Sequence, residues 1–308
     1  MKTKSGNSLS KIGIGTWGVG GRGHRPTSLF DINNNDTEYV DALVYQIQNG
    51  INFTEVSMGY GHGNSLRLLQ EAIVASGMKR EDVFITHSFY EADLADINTM
   101  RKDLVDFYRV MKTDYADSTL VTQSIILNFG KEKIYTLLHS LLESGKTRYV
   151  SLSNAGRRMI KDFKNEFGDA FYAHEGHLSF EVRLLQDEGI LDLCDKLKVA
   201  NIIWRPLRKG QTTNFNWTLL NSLSKKYEKS NNQIILNWMV HMGYAPMVFS
   251  TNKKHIDENI EATRFTMEEQ DYIAITKERP VKIDSSKIDW NGNKLGLEIV
   301  PFANNLSD

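Results

Sequence analysis

The sequence predicts an α/β protein folded as a single (β/α)8 barrel, and three observations carry that prediction. Eight short runs rich in β-branched and aromatic residues are mostly bounded by Gly, Asn, Asp or Lys, as strands are. Between them lie stretches whose apolar residues recur at helical spacing. The eight units fill about 270 of the 308 residues, close to the roughly 250 of a closed eightfold barrel.

In chain order the strands are expected at 11–17, 51–57, 82–88, 117–125, 148–153, 171–179, 200–207 and 246–251. Helical stripes follow the early ones: Tyr39, Ala42, Leu43 and Ile47; Leu68, Leu69, Ala72 and Ile73; Leu104, Phe107, Tyr108 and Met111; Ile134, Leu137, Leu138, Leu141 and Leu142. Strands that alternate with helices pair in parallel through right-handed crossovers. An open dinucleotide-binding sheet is the competing arrangement. Gly13, Gly15, Gly18, Gly20 and Gly21 surround the first strand, but they lead into a polar loop at 22–35 instead of a helix, so they do not form that sheet's fingerprint. Domain organisation is expected as one barrel over 1–280 and a tail over 281–308. Leu295, Leu297, Ile299, Val300 and Phe302 suggest that the tail packs over the barrel mouth.

Composition narrows the function classes. A net charge of −1 argues against nucleic acid or an anionic membrane as obligate partner. The one cysteine, Cys194, excludes an intrachain disulfide and a multi-cysteine metal site. His62, His139, His174, His177, His241 and His255 are not spaced with acids as a metal cluster, so no metal is expected. No apolar run reaches the roughly 18 residues of a membrane span, and the first ten residues are polar, so a cytoplasmic protein acting on a small molecule is expected. Oligomeric state is left open.

In such a barrel the site lies at the C-terminal strand ends. That position selects Trp17 beside Thr16, Glu55 to Tyr60, His87, Thr122, Ser153 and Asn154, Glu175 to His177, Trp204 to Leu207, and Ser250 to Lys254.

The same segments resemble the aldo/keto reductases over most of residues 8–278. The resemblance rests on Ile12-Gly-Ile-Gly-Thr-Trp-Gly18, on Gly50-Ile-Asn-Phe-Thr-Glu-Val-Ser-Met-Gly-Tyr-Gly-His-Gly-Asn-Ser65 and on Arg80-Glu-Asp-Val-Phe-Ile-Thr86. It continues through Arg148-Tyr-Val-Ser-Leu-Ser-Asn154, Asp187-Glu-Gly-Ile-Leu-Asp-Leu-Cys194, Ile202-Ile-Trp-Arg-Pro-Leu207 and His255-Ile-Asp-Glu-Asn-Ile260. The resemblance implies a Tyr general acid flanked by Asp, Lys and His. The Tyr falls on Tyr60, the Asp on Glu55, the Lys on His87 and the His on Thr122, so one of the four is retained.

The substitutions change the chemistry. A phenol with a pKa near 10 needs tuning to move protons at pH 7. His87 offers a charge only when protonated. Glu55 without an ammonium partner should hold its proton more tightly than a salt-bridged acid does. The plainer alternatives are a buried Glu55–His87 pair, and Thr122 as a barrel-core residue.

For the cofactor, the resemblance implies NADP(H), with NAD not excluded. Ser153 and Asn154 match the residues that contact the nicotinamide carboxamide, and Glu175 stands for a Gln that also reads it. Trp204 replaces a stacking Tyr. Pro206 and Leu207 persist, Arg205 replaces a Ser, and Arg208 is expected at the pyrophosphate. Thr16, Trp17, Ser250 and Thr251 belong to the same cofactor surface. Glu258 and Asn259 match adenine contacts, and Lys253 and Lys254 are candidates for the 2′-phosphate, since cations at a helix N-terminus are at home beside an anion.

Three functions follow. The leading one is an NAD(P)H-dependent oxidoreductase with an altered catalytic set, acting on a small carbonyl or alcohol. The alternatives are a redox-neutral lyase, dehydratase or isomerase using Glu55, Tyr60 and His87, and a non-catalytic nucleotide-sensing subunit.

Overall fold

The computed structural model describes residues 2–21, 35–91 and 94–280. Eight parallel strands close into one barrel in sequence order. They are β1 (Gly13–Gly15), β2 (Phe53–Val56), β3 (Phe84–Ser88), β4 (Ala116–Thr122), β5 (Thr147–Ser153), β6 (Phe171–His177), β7 (Ala200–Trp204) and β8 (Ala245–Val248). Closure runs through Gly13 against Met247 and Ile14 against Val248. The helices are α1 (Asp36–Gln48), α2 (Asn64–Ala75), α3 (Ile97–Val110), α4 (Gln123–Phe129), α5 (Lys131–Glu143), α6 (Arg157–Phe167), α7 (Leu184–Asp187), α8 (Ile190–Lys196), α9 (Thr218–Tyr227), α10 (Asn231–His241), α11 (Lys253–Glu261) and α12 (Glu269–Lys277). The expected barrel is therefore the observed one.

Strand alternation sorts side chains between the interior and the helical jacket. Phe53, Phe84, Tyr172, Ala173, Ile202 and Met247 fill the interior below the site. Gly13 is glycine for packing: a Cβ there would stand 2.3 Å from the Phe53 ring and 2.4 Å from the Met247 sulfur. Pairing of β5 with β6 shifts register between Val150 and Ser151, so Tyr172 is taken up as an extra residue. Tyr172 and Ala173 thereby join the same interior cluster although they are adjacent in sequence.

Asp117 on β4 is fully buried and its charge is matched. Arg80 donates to it at 2.8 Å, Arg148 at 2.6 Å and the Ile85 amide at 3.0 Å. A buried carboxylate is tolerable with such partners and costly without them.

The fourth strand is shorter than its apolar run suggests. It ends at Thr122, whose hydroxyl accepts from the Ile125 amide at 3.1 Å and caps α4, so residues 123–125 are helical. Cys194 lies in α8, buried, with its thiol pushed up to about 12 by desolvation. Among the described residues no helix is long and apolar enough to cross a membrane. The expected tail at 281–308 and nearly all of the loop at 22–35 lie outside the described residues.

Candidate active site

The site is built outward from β2. Glu55 faces the barrel interior, because it pairs with Thr86 while its neighbour Val56 joins the outer cluster. The turn after β2 brings Tyr60 back over it: the Tyr60 amide donates to the Ser57 carbonyl at 3.0 Å. Gly59 is required in this turn, since a Cβ would come within 2.5 Å of Tyr90. The Tyr60 hydroxyl then donates to Glu55 Oε1 at 3.1 Å.

Glu55 is 9% exposed, and burial raises its pKa to about 7 against the opposing hydrogen bonds from Ser88 and Tyr60. Glu175, on β6 and also buried, is pushed well above the ordinary range by desolvation and then by the charge of Glu55. Burial, followed by these two carboxylates, holds the Tyr60 phenol well above 10. At neutral pH the phenol keeps its proton, and Glu55 titrates near pH 7.

His87 is not part of this group. Along β3, Phe84 joins the interior cluster and Ser88 bonds Glu55, so the residue between Thr86 and Ser88 points outward. His87 packs between Phe89 and Phe107, each 4.8 Å away, and its Nε2 meets Asp103 Oδ1 of α3 at 2.6 Å. The strand-end position that faces Glu55 is Ser88. Neither the expected acid–base role of His87 nor its pairing with Glu55 is geometrically available. Thr122 does stand at the end of β4, with its hydroxyl engaged in the α4 cap and with Ser124 Oγ at 2.8 Å.

Ser153, Asn154 and Glu175 are brought together as expected. Ser153 pairs with Glu175 in register, and the Asn154 amide donates to the Glu175 carbonyl at 3.0 Å. Asn154 takes a left-handed φ of +52°. Its Oδ1 and Glu175 Oε1 are both buried and find no hydrogen-bond partner among the described residues. Trp204 ends β7 with one face covered by His177, rings 4.7 Å apart at 14°. His177 is held neutral, its pKa lowered to about 3 by burial and then by Arg205 and Arg208.

Beyond Trp204 the chain doubles over itself, with φ of +51° at Arg205, +48° at Arg208 and +58° at Lys209, while Pro206 is buried and Leu207 packs against the helical jacket. Arg208, expected at a pyrophosphate, is 5% exposed and faces the buried Glu181 at 3.5 Å. Arg205 and Lys209 instead flank Trp17: the guanidinium lies 5.3 Å and the ammonium 3.3 Å from its ring centre. The Thr16 hydroxyl latches β1 to β2 through the Glu55 carbonyl at 2.8 Å, which commits it to the scaffold.

Past β8, the hydroxyl of Ser250 accepts from the Asn252 amide and Asn252 caps α11, while Thr251 is partly exposed. Lys253 and Lys254 stand exposed at the helix start; Lys254 reaches Glu258 at 3.9 Å and Asn259 is buried on the same helix. Sequence reasoning passed over Ser88 and Tyr90, placed Lys209 only within a 208–210 stretch expected at the pyrophosphate, and treated Arg205 only as a substitution. Alternation from Phe84 to Ser88 was the available signal for the first. No set of three or more His, Cys, Asp or Glu among the described residues is placed to hold a metal.

The geometry can be compared with known proteins. A model of the aldo/keto reductase family matches residues 11–278. An uncharacterized oxidoreductase, YtbE, of Bacillus subtilis is 26% identical over 240 residues, covering 76% of this chain and 81% of that protein. The thermostable aldo-keto reductase Tm1743, solved with the inhibitor epalrestat, superposes with a TM-score of 0.78 at 22% identity, over 90% of this chain and 97% of that one. An aldo/keto reductase of Klebsiella pneumoniae, solved with NADP and acetate, gives a TM-score of 0.73 at 16% identity, over 89% and 92%. The match spans all eight strands and the whole of the site described above, and the chain belongs to the aldo/keto reductase family.

Proposed function

We propose that this protein is an NADP(H)-dependent reductase of small carbonyl compounds in which Tyr60 delivers the proton and Glu55 stands behind it. The observation that carries this reading is the 3.1 Å hydrogen bond between the two at the C-terminal mouth of the barrel. The residues suit the nucleotide. Asn154 Oδ1 and Glu175 Oε1 are buried polar atoms without partners among the described residues, as the edge of a carboxamide requires, and Lys253 with Lys254 offers cations for a phosphate. NADP is named with the Klebsiella relative, which supports the same choice here. When bound, NADPH supplies the hydride.

The chain's own residues handle the proton. Tyr60 remains a phenol at neutral pH, so it donates a hydrogen bond to a carbonyl oxygen and can pass its proton to the stronger base that forms there. Glu55, with a pKa of about 7, is protonated in about half the molecules at neutral pH and can reload the phenol through the same contact. The end of β3 offers Glu55 the hydroxyl of Ser88 instead of an ammonium, and the carboxyl is itself a proton reservoir. Trp204, backed by His177, offers a flat face at the site's wall.

A second reading draws on the two buried carboxyls, Glu55 and Glu175, which also suit redox-neutral proton transfer. One experiment separates the two. NADPH and NADH are titrated by tryptophan fluorescence, and NADPH oxidation is followed with a panel of aldehydes for wild type and Tyr60→Phe. The reductase reading expects nucleotide binding by both proteins and turnover by wild type reduced about 100-fold or more in the variant. Absence of nucleotide binding at millimolar concentration sinks it.

A further inference from the structure

Among the described residues Arg205 is a guanidinium held by aromatic rings and by no carboxylate. Its residue takes a left-handed φ of +51°, a conformation that costs a non-glycine residue of order 1 kcal/mol and persists only where the surroundings impose it. The side chain is half-buried between the rings of Trp17 and Trp204, 5.3 Å and 5.6 Å away. Among the described residues no carboxylate pairs with it. Glu181 is taken by Arg208 and by the Thr212 hydroxyl at 3.0 Å. Its other charged neighbours are cations, Arg208 and Lys209, and both depress its proton affinity or have theirs depressed by it. A desolvated cation between two indoles, repelled by its neighbours, is unsatisfied until an anion arrives.

The guanidinium also lies close to the reacting end of the site. Tyr60 and Arg205 are within electrostatic reach of each other, and His177, stacked on Trp204, feels the same charge. Below them Glu175 holds its proton and Glu55, with a pKa of about 7, is charged in about half the molecules at neutral pH, so the floor offsets less than one of the rim's positive charges. The site is divided: carboxyls that favour the protonated form lie at the bottom, and among the described residues the cations beside the tryptophans outnumber the charge that faces them.

We propose that Arg205 binds a carboxylate on the substrate, so that the preferred substrates are oxo acids whose carbonyl reaches Tyr60 while the acid group pairs with the guanidinium between Trp17 and Trp204. A planar fork of donors meets a carboxylate in two parallel hydrogen bonds, which fixes the carbonyl's distance from the phenol. This rests on the reductase reading only for the fate of the carbonyl. The anion site stands on Arg205 itself.

The test compares 4-carboxybenzaldehyde with 4-methylbenzaldehyde, which share a shape and differ in charge, on full-length wild type, Arg205→Gln and Arg205→Lys. NADPH affinity is measured separately by fluorescence. Wild type is expected to favour the carboxylate by about tenfold or more in kcat/KM. Arg205→Gln should lose that preference through a higher KM for the acid, with NADPH affinity retained, and Arg205→Lys should keep part of it. Equal preference in wild type and Arg205→Gln overturns the proposal. So does an Arg205→Gln protein that loses NADPH affinity and keeps its preference, since the guanidinium then serves the nucleotide's phosphates. A binding arm removes the dependence on turnover: benzoate and benzamide are titrated against the protein's tryptophan fluorescence. Tighter binding of benzoate by about tenfold, lost in Arg205→Gln, supports the site even where no aldehyde is reduced. Wild type that binds both alike overturns it even where aldehydes are reduced, and that comparison needs no variant to fold.

Discussion

The hydroxyl of Tyr60 donates to Oε1 of Glu55 across 3.1 Å, and both groups are held on the protonated side of their usual behaviour by burial. The family's charged partner for the phenol is absent from this pair. With Glu55 reloading the phenol as proposed, wild-type kcat should fall as pH rises through about 7. Glu55→Gln, which cannot titrate, should flatten that limb while lowering kcat at pH 6. A limb that survives unchanged in the variant assigns it to another group.

Stability carries the same signature with a definite sign. Glu55 has a folded-state pKa of about 7 against 4.5 in the unfolded chain. The folded state therefore prefers the protonated form. Its contribution is fully present below pH 4.5 and is lost as pH rises to 7, a span worth at most about 3 kcal/mol. Glu55→Gln should be more stable than wild type at pH 8 and close to it at pH 4.5. Denaturant melts at the two pH values check this, and an equal difference at both contradicts it.

His174 and His177 act in the opposite sense. Burial lowers their pKa to about 4 and about 3, so each is neutral in the folded protein. Their contribution is present above pH 6.5 and is lost as pH falls towards 4 and then 3. His177→Gln should shift the acid unfolding midpoint to lower pH, measured by circular dichroism. An unmoved midpoint argues that other groups drive acid unfolding.

Substitutions at the end of β3 separate its two faces. Ser88→Lys places an ammonium beside Glu55 and should pull that carboxyl's pKa down by about one unit or more, moving the alkaline limb of kcat to lower pH. His87→Gln should leave the limb in place and lower thermal stability, because it breaks a buried contact with Asp103. If His87→Gln moves the limb and Ser88→Lys does not, the inward and outward assignments are reversed.

Lys253 and Lys254 are the exposed cations at the start of α11. The Lys253→Ala, Lys254→Ala double variant should weaken NADPH by about tenfold or more at low salt and leave NADH nearly unchanged. Equal losses for both nucleotides would place the 2′-phosphate elsewhere.

The barrel was legible because its signal repeats: eight alternations of strand and helix patterns leave few other arrangements. The placement of Glu55, Ser153, Asn154 and Glu175 at strand ends, and of Tyr60 in the turn after β2, was legible for the same reason. The register within β3 was harder. A slip of one position exchanges the two faces of a strand, and the motif alone set His87 where Ser88 belongs. Thr122 shows another limit, since its apolar neighbours Val121 and Ile125 read as strand until its hydroxyl is seen to cap a helix. The cations after β7 are the third case. Arg205, Arg208 and Lys209 are alike in sequence, and only the backbone turn with its positive φ values decides which pairs with Glu181 and which face Trp17.

The lone thiol has a practical consequence. Cys194 is buried in α8 and its pKa stands near 12, so almost no reactive thiolate exists at neutral pH. The natural chain is therefore a silent background for maleimide chemistry. A single cysteine introduced at Lys209 or Lys253 would carry a fluorophore at one end of the cleft or the other, and its signal would report whether the acid or the nucleotide arrives first.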